Sequence, residues 1–239
     1  MHSLKPPAWR RSSRVDINFI MARLPHVVIP VKPLTQGKSR LADLLGDSAR
    51  TTLNRQLLAR TLDRAAVYPG ADRSLVVSRC VEVLSIARER GFHVLSEPAD
   101  DGLNLAARRG TYWALEAGAT AMLVMPVDLP LGNAENLRAL VDGAPSDEPV
   151  CVLVPDQHGR GTNLLYQSPL ALFSYAFGPD SLMRHSLLAE RHLLRPVLLG
   201  HSCFGFDIDE PADYKRWRLA CDSAANADRP ESEAALPCS

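Results

Sequence analysis

Short apolar runs alternate with longer amphipathic segments in the first half of the chain, and this alternation constrains the fold more than any other feature. Runs at His26–Val31, Ser74–Ser78 and Phe92–Leu95 have the length and the flanking residues of buried strands. Between the first two, Ser48–Tyr68 repeats apolar residues at helical spacing. This order is typical of a mostly parallel sheet with helices on both faces. The sequence therefore predicts an α/β fold in a single domain.

The second half of the chain adds a hairpin. Two apolar runs, Val150–Val154 and Thr162–Tyr166, are separated by a polar, Gly-containing turn, which indicates an antiparallel part of the sheet. We expect the ordered domain to span residues 24–219. Residues 1–23 lack periodicity, and residues 220–239 are rich in Ala, Ser, Asp, Glu and Pro, so both are expected to be disordered.

Composition argues against several classes of function. Basic and acidic residues number 27 each, so no overall field favours nucleic acid or an anionic membrane. The longest apolar runs are too short to span a bilayer. The five cysteines include no C-x-x-C pair, so a zinc knuckle and a thioredoxin motif are excluded. Their odd number, with no recognisable signal peptide, suggests reduced thiols and a cytoplasmic location.

A carboxylate follows the next apolar run. The segment Ala121–Val127 leads directly to Asp128, and ligands of open α/β sheets bind outside the carboxyl ends of the strands. A carboxylate at such a place needs a cation or several hydrogen-bond donors. Asp128 is therefore a candidate site residue, and capping of the next helix or turn is the alternative.

Three cations, Lys32, Lys38 and Arg40, lie in the loop after the first predicted strand. Gly37-Lys38-Ser39 resembles the end of a P-loop, but Lys32 stands where that motif requires its first glycine. The three cations are still well placed to bind a triphosphate. The alternative is a solvated loop.

Two further carboxylates, Asp207 and Asp209, are separated by one residue, so their side chains share a face in an extended segment. Carboxylates this close repel each other unless a cation lies near them. Together with Asp128 they are candidate ligands of Mg²⁺, which favours a few carboxylates and phosphate oxygens. For Asp209 the alternative is an N-cap of the following helix.

The loop from Glu97 to Asn104 offers groups that could recognise a guanine base. Glu97 supplies acceptors, Asn104 supplies a donor and an acceptor, and Gly102 permits close approach of the backbone. Helix capping by Asn104 or Asp101 is the alternative.

A second polar turn, Gly178–Ser181, precedes a predicted helix whose free N–H groups could bind an anion, with Asp180 as a candidate N-cap. His185, one turn further on, is interpreted as a satisfied surface residue and not as a catalyst.

Six motifs occur in a specific order, and each is weak alone. They are Ile29–Leu41, Asp101–Asn104, Pro126–Pro130, Gly161–Asn163, Phe177–Ser181 and Phe206–Asp209. Together they resemble the guanylyltransferases of coenzyme F420 biosynthesis, which have a Rossmann-like nucleotide-diphospho-sugar transferase (MobA-like) fold. The likeness covers roughly residues 27–217.

The resemblance implies transfer of GMP from GTP to the phosphate of a small acid, with release of pyrophosphate. The acid is 2-phospho-L-lactate, phosphoenolpyruvate or 3-phospho-D-glycerate in different members. The implied cofactor is Mg²⁺ on Asp128, Asp207 and Asp209. A downstream transferase in the same pathway is expected to accept the product, and a homodimer is a possible assembly.

The expected site residues fall into three further groups. Catalysis is assigned to Lys32, Lys38 and Asp128; GTP binding to Lys32, Lys38, Arg40, Glu97, Gly102 and Asn104; and, from the resemblance, acid binding to Thr162, Asn163, Gly178 and Ser181. Some members of the family carry Thr-Thr where this chain has Thr162-Asn163, so the choice of acid stays open. Two rival interpretations are another MobA-like nucleotidyltransferase, acting on a molybdenum cofactor or a sugar phosphate, and a non-catalytic nucleotide-binding domain.

Overall fold

A computed structural model describes residues 24–98, 102–172, 174–200 and 202–227, and these form an α/β domain around one seven-stranded sheet. In chain order the strands are β1 (His26–Pro30), β2 (Ser74–Ser78), β3 (His93–Ser96), β4 (Met122–Val124), β5 (Val150–Pro155), β6 (Thr162–Ser168) and β7 (Arg195–Leu198). Their order across the sheet is β3-β2-β1-β4-β6-β5-β7. Strand β6 is antiparallel to β4 and β5, and the other pairings are parallel. The predicted α/β class and the hairpin after residue 150 are confirmed.

Helices cover both faces of the sheet because successive strand residues point to opposite sides. The helices are α1 (Asp47–Ala65), α2 (Val81–Glu89), α3 (Gly102–Glu116), α4 (Ala134–Asp142), α5 (Ser181–Arg191) and α6 (Pro211–Ala227). Ile29 of β1 belongs to the core with Leu62 of α1, whereas the adjacent Val28 belongs to the core with Ala107 of α3. Helix α3 approaches β1 so closely that a Cβ on Gly110 would lie 2.3 Å from a methyl carbon of Val28.

Two helices differ from the sequence predictions. Helix α1 ends at Ala65, before the predicted Tyr68, because the backbone of Tyr68 is extended. Helix α6 continues to Ala227, so residues 220–227 are helical and do not begin a disordered tail. Trp217 packs in a small core with Leu41 and so anchors helix α6. The alanine-rich sequence that follows Trp217 favours continuation of the helix. Residues 1–23 and 228–239, where disorder is expected, lie outside the described residues.

The topology brings separate segments to one edge of the sheet. Strands β1, β2 and β4 are parallel, so their carboxyl ends lie at the same edge. Because β6 is antiparallel to β4, its first residues, Thr162 and Asn163, lie at this edge too. No helix among the described residues has the length and apolar character needed to cross a membrane.

Candidate active site

The loop after β1 is held by a side chain from α1. The amide nitrogen of Asn54 donates to the carbonyl oxygens of Leu34, at 2.6 Å, and Gly37, at 3.2 Å. A Cβ on Gly37 would lie 2.7 Å from that same nitrogen, so a larger residue would displace Asn54. The next residue, Lys38, has a left-handed φ of 56°. Asn54 thus fixes the loop from which Lys38 extends.

Lys38 joins two carboxylates from distant parts of the chain. Its Nζ lies 3.2 Å from Oδ2 of Asp128 and 3.0 Å from Oδ1 of Asp209. Burial opposes the charged form of Lys38, but the two carboxylates outweigh burial and raise the pKa of the ammonium group. Arg40 adds a second cation, with Nη1 at 3.7 Å from Oδ2 of Asp209. Asp209 therefore binds cations and does not serve as the expected N-cap. Instead, Asp213 accepts from the backbone N–H groups of residues 209 and 210.

A buried arginine supports the loop that carries Asp128. Nη2 of Arg64, on α1, donates to the carbonyl oxygens of Leu129 and Leu131 at 3.1 Å each. Its guanidinium carbon also lies 5.2 Å from the ring centroid of Phe204. Burial lowers the pKa of Arg64 to about 10, and the group stays charged at neutral pH. These contacts fix the segment after β4, which carries Asp128.

The third predicted carboxylate, Asp207, lies close to the other two. Burial, followed by the charges of Asp128 and Asp209, raises the pKa of Asp207 to about 6. Nδ2 of Asn163 is 3.4 Å from Oδ1 of Asp207 and only partly offsets this effect. The three predicted metal ligands are thus brought together, and the charges of Asp128 and Asp209 disfavour the ionised form of Asp207.

The donor chemistry of this cluster fits a divalent cation, because hard carboxylate oxygens are the ligands of Mg²⁺. The arrangement differs from a finished metal centre, however. Within the described ranges, no three His, Cys, Asp or Glu side chains are placed to hold a metal ion together. The ammonium group of Lys38 lies between Asp128 and Asp209 instead. The metal roles of Asp128, Asp207 and Asp209 stay predictions.

Two cavities meet at these carboxylates. The first, of about 440 Å³, is lined on its own side by Lys32, Lys38, Arg79, Glu97 and Gly102, among others. The second, of about 610 Å³, is lined on its own side by Thr162, Asn163, Gly178, Ser181 and Asp207, among others. Both are lined by Arg40, Leu103, Pro126, Asp128 and Asp209. Arg40, predicted for GTP, lies at the junction itself. The other residues predicted for GTP and for the acid fall, with one exception, on two sides of this junction; their roles stay predictions.

The exception is Asn104, which is not among the residues lining the first cavity. Its Oδ1 accepts from the backbone nitrogen of Phe177 at 2.6 Å, and its Nδ2 donates to the carbonyl oxygen of Phe177 at 3.2 Å. The side-chain amide of Asn104 thus holds the segment before Gly178. This contact differs from both predicted roles, which were a contact with the guanine base and a helix cap. Glu97 lines the cavity, with one oxygen 2.8 Å from Nη1 of Arg109. Asp101 lies outside the described residues.

The far wall of the second cavity rests on a buried hydrogen-bond chain. The backbone nitrogen of Thr162 donates to Oγ of Ser181 at 2.8 Å, and the Thr162 hydroxyl lies 3.0 Å from Nδ1 of His185. Nε2 of His185 accepts from the backbone nitrogen of Ala176 at 3.0 Å, so Nδ1 carries the proton of the neutral ring. His185 is completely buried, which corrects its interpretation as a surface residue, and burial lowers its pKa to about 4.

Gly178 and Asp180 shape the turn before α5. Gly178 has a φ of 120°, and a Cβ there would meet nothing within 4 Å, so the backbone conformation and not space requires glycine. Asp180, also left-handed at φ 54°, makes no side-chain cap. Its carboxylate binds Arg160 instead.

Sequence reasoning missed five residues that build or line the site: Asn54, Arg64, Arg79, Asp156 and Arg160. A signal existed for two of them. Arg79 follows β2 at the carboxyl edge, and Asn54 is a polar residue beside the apolar stripe of α1.

Sequence comparisons place the chain among guanylyl transferases. A family model described as "Guanylyl transferase CofC like" matches residues 25–222. The phosphoenolpyruvate guanylyltransferase of Rubrobacter xylanophilus is 37% identical over 189 residues, which cover 79% of this chain and 91% of that protein. The enzyme of the same name from Sphaerobacter thermophilus is 38% identical, covering 78% and 88%. The 2-phospho-L-lactate guanylyltransferase of Methanobrevibacter smithii is 27% identical, covering 78% and 80%.

Solved structures give the same fold at low identity. A nucleotidyl transferase from Methanothermobacter has a TM-score of 0.57 and 19% identity, covering 83% of this chain and 99% of its own. A Desulfovibrio desulfuricans protein described as a nucleotide-diphospho-sugar transferase has a TM-score of 0.65 and 12% identity, covering 84% and 89%. The predicted nucleotide-diphospho-sugar transferase fold is confirmed.

Proposed function

We propose a reaction for this chain from the premise that it belongs to the family of CofC-like guanylyl transferases. The reaction transfers GMP from GTP to the phosphate of phosphoenolpyruvate or 2-phospho-L-lactate, the acids in the relatives' names. A phosphate oxygen of the acid attacks the α-phosphorus, the bond to the β-phosphate oxygen breaks, and pyrophosphate leaves. Coenzyme F420 biosynthesis is the proposed setting, and 3-phospho-D-glycerate is a third acid to test.

One observation carries this proposal: Lys38 binds the two carboxylates at the junction of the two cavities. A transfer between two bound substrates needs their reacting ends to meet at a point where negative charge is neutralised. GTP would occupy the first cavity, with its base toward Glu97 and Gly102. The acid would occupy the second cavity, with its phosphate toward Asp128.

The cations of the first cavity would neutralise the departing pyrophosphate. Lys32, Lys38 and Arg40 belong to one loop, and all line that cavity. Charges fixed where the transition state becomes more negative stabilise it strongly. The attacking phosphate is already ionised, so the chain needs no general base. His185, neutral and buried, is not required to move a proton.

Mg²⁺ is the proposed cofactor, and when bound it would neutralise phosphate oxygens and hold them in line. Asp128, Asp207 and Asp209 are the residues that would hold it; without the ion, Lys38 binds Asp128 and Asp209, and Arg40 lies near Asp209. A downstream transferase that accepts the unstable product, a homodimeric assembly and a cytoplasmic location stay predictions.

The test is pyrophosphate release by the full chain, supplied with GTP, Mg²⁺ and each of the three acids in turn. Detecting pyrophosphate directly avoids the need for a partner enzyme. We expect release with at least one acid, dependence on Mg²⁺, and a loss of about 100-fold in Lys38→Met. A sugar phosphate that supports release where none of the acids does would favour the rival nucleotidyltransferase.

A further inference from the structure

The second cavity is strongly acidic. The described residues lining it include Asp156, Asp180 and Asp207, in addition to the shared Asp128 and Asp209. A phosphorylated acid brings further negative charge into this space. Among the lining residues that the structure describes, Arg160 is the only lysine or arginine that does not also line the first cavity. Among the described residues, Arg160 is therefore the one strong cation that the second cavity offers away from the junction.

The backbone of Arg160 is fixed, whereas its side chain is exposed to solvent. The Asp156 carboxylate accepts from the backbone nitrogens of His158, at 3.1 Å, and Arg160, at 2.9 Å. The carbonyl oxygen of Arg160 accepts from the backbone nitrogen of Leu182 on α5 at 3.0 Å. The side chain of Arg160 is 73% exposed. A turn with a fixed backbone thus carries an exposed guanidinium group beside the cavity.

The ion pair between Asp180 and this guanidinium group is one in which another carboxylate could take the place of Asp180. Nε and Nη2 of Arg160 lie 3.1 and 2.9 Å from the same oxygen, Oδ1 of Asp180. The pair leaves one carboxylate oxygen unused and so lacks the parallel two-oxygen geometry of a strong arginine–carboxylate pair. Exposed ion pairs of this kind contribute little to stability. A ligand carboxylate can therefore compete for Arg160.

We propose that Arg160 binds the carboxylate of the phosphorylated acid, and that Asp180 holds Arg160 when the acid is absent. This inference rests on the proposed function. It follows from the orientation of the acid: its phosphate must reach the junction, where GTP arrives, so its carboxylate points to the distal end. There, the planar guanidinium of Arg160, a residue that lines the cavity, can make two parallel hydrogen bonds to a carboxylate.

The experiment measures KM for phosphoenolpyruvate and for GTP in Arg160→Gln, Arg160→Lys and Asp180→Asn. Arg184→Gln is the matched control, because Arg184 is an exposed arginine on the neighbouring helix α5 and does not line either cavity. Arg160→Gln should raise KM for the acid about 10- to 100-fold, the cost of losing a charged hydrogen-bond pair. Arg160→Lys should fall between this variant and the parent. Asp180→Asn should lower KM for the acid, because the neutral amide competes less strongly for Arg160. The turn should keep its shape, since Asn also tolerates a left-handed backbone.

A second measurement identifies the group that Arg160 binds. Competition with phosphoenolpyruvate by 3-phospho-D-glycerate, whether or not it is turned over, is compared with competition by glycerol 3-phosphate, which lacks the carboxylate. The parent should prefer the carboxylated inhibitor, and Arg160→Gln should lose that preference. The proposal is overturned if KM for the acid changes less than twofold, if KM for GTP rises in parallel, or if both inhibitors weaken equally. Turnover by the parent tests the proposed function separately from these ratios.

Discussion

The ammonium nitrogen of Lys38 lies 3.0 Å from a carboxylate oxygen of Asp209, although 171 positions separate the two residues in the chain. This ion pair ties the loop after β1 to the loop before α6 across the mouth of the site. The same ammonium group binds Asp128, so three segments that are distant in the chain are joined by one buried charge.

Asp128→Asn and Asp207→Asn should each reduce turnover by at least about 100-fold without unfolding the chain, because each removes an anionic oxygen from a small cluster proposed to bind Mg²⁺. Steady-state rates over a range of Mg²⁺ concentrations, with circular dichroism for folding, provide the measurement. Asp63→Asn is the control, since Asp63 is exposed and pairs only with Arg90 among the contacts described. A folded Asp128 or Asp207 variant with near-parental activity at low Mg²⁺ would contradict the metal assignment.

Asn54→Leu should lower both stability and turnover. It leaves the carbonyl oxygens of Leu34 and Gly37 without their donor, a loss of about 1–3 kcal/mol in the free energy of unfolding. Because this donor fixes the loop that carries Lys38, kcat should fall in addition. Urea unfolding and steady-state kinetics measure the two effects. Unchanged kcat at a temperature where the variant is fully folded would show that the loop keeps its position without Asn54.

Ser181→Ala and Asn163→Ala should raise KM for the acid and leave KM for GTP nearly unchanged. Both residues line the second cavity and neither lines the first. Loss of one hydrogen bond predicts an increase of about 5- to 10-fold. If KM for GTP rises instead, the two substrates occupy the opposite cavities.

His185 should make the chain less stable at acidic pH. Its pKa is about 4 in the folded state, below the ordinary value of 6.5, so the unfolded chain binds a proton first as pH falls. Stability is therefore lost between pH 6.5 and 4, by about 1.4 kcal/mol for each pH unit at most. His26 titrates in the same direction, whereas Asp207, with its raised pKa, acts in the opposite one.

Because the other groups also titrate at acidic pH, the contribution of His185 is obtained by comparing the pH dependence of stability in the parent and in a variant. Urea unfolding at several pH values should give a shallower acid loss for His185→Gln than for the parent. His158→Gln serves as the control, because His158 is exposed and outside the buried chain. Equal pH dependence in the parent and in His185→Gln would contradict the assignment.

Residues at strand ends were predictable from sequence, and residues that act through buried contacts were not. Asp128 follows an apolar run, and strand order alone brings it to the edge shared with the loop of Lys38. Asn104 has no such local signal, because its partner Phe177 is 73 positions away. The same is true of Arg64, whose sequence context is that of an ordinary helical arginine.

Burial of polar side chains also escaped the sequence patterns. His185 lies on a helix with several exposed neighbours, and the rings of Phe177 and Tyr175, which lie outside that helix, pack against it. The prediction ended the ordered domain at residue 219, because an alanine-rich and acidic composition occurs both in helices and in disordered tails. The contact of helix α6 with the core through Trp217 became visible only in three dimensions.

The reversed direction of β6 has a consequence for how such a protein can diversify. Since β5 ends and β6 begins at the site, the short turn between them, residues 156–161, contributes four lining residues to the second cavity and, among the described residues, none to the first. The turn also contacts α5 through Arg160 and α6 through Gln157. Insertion or substitution in that turn would therefore alter the cavity proposed for the acid more than the cavity proposed for GTP. The hairpin is thus the place where a change of sequence would act on the proposed acid and spare the proposed donor.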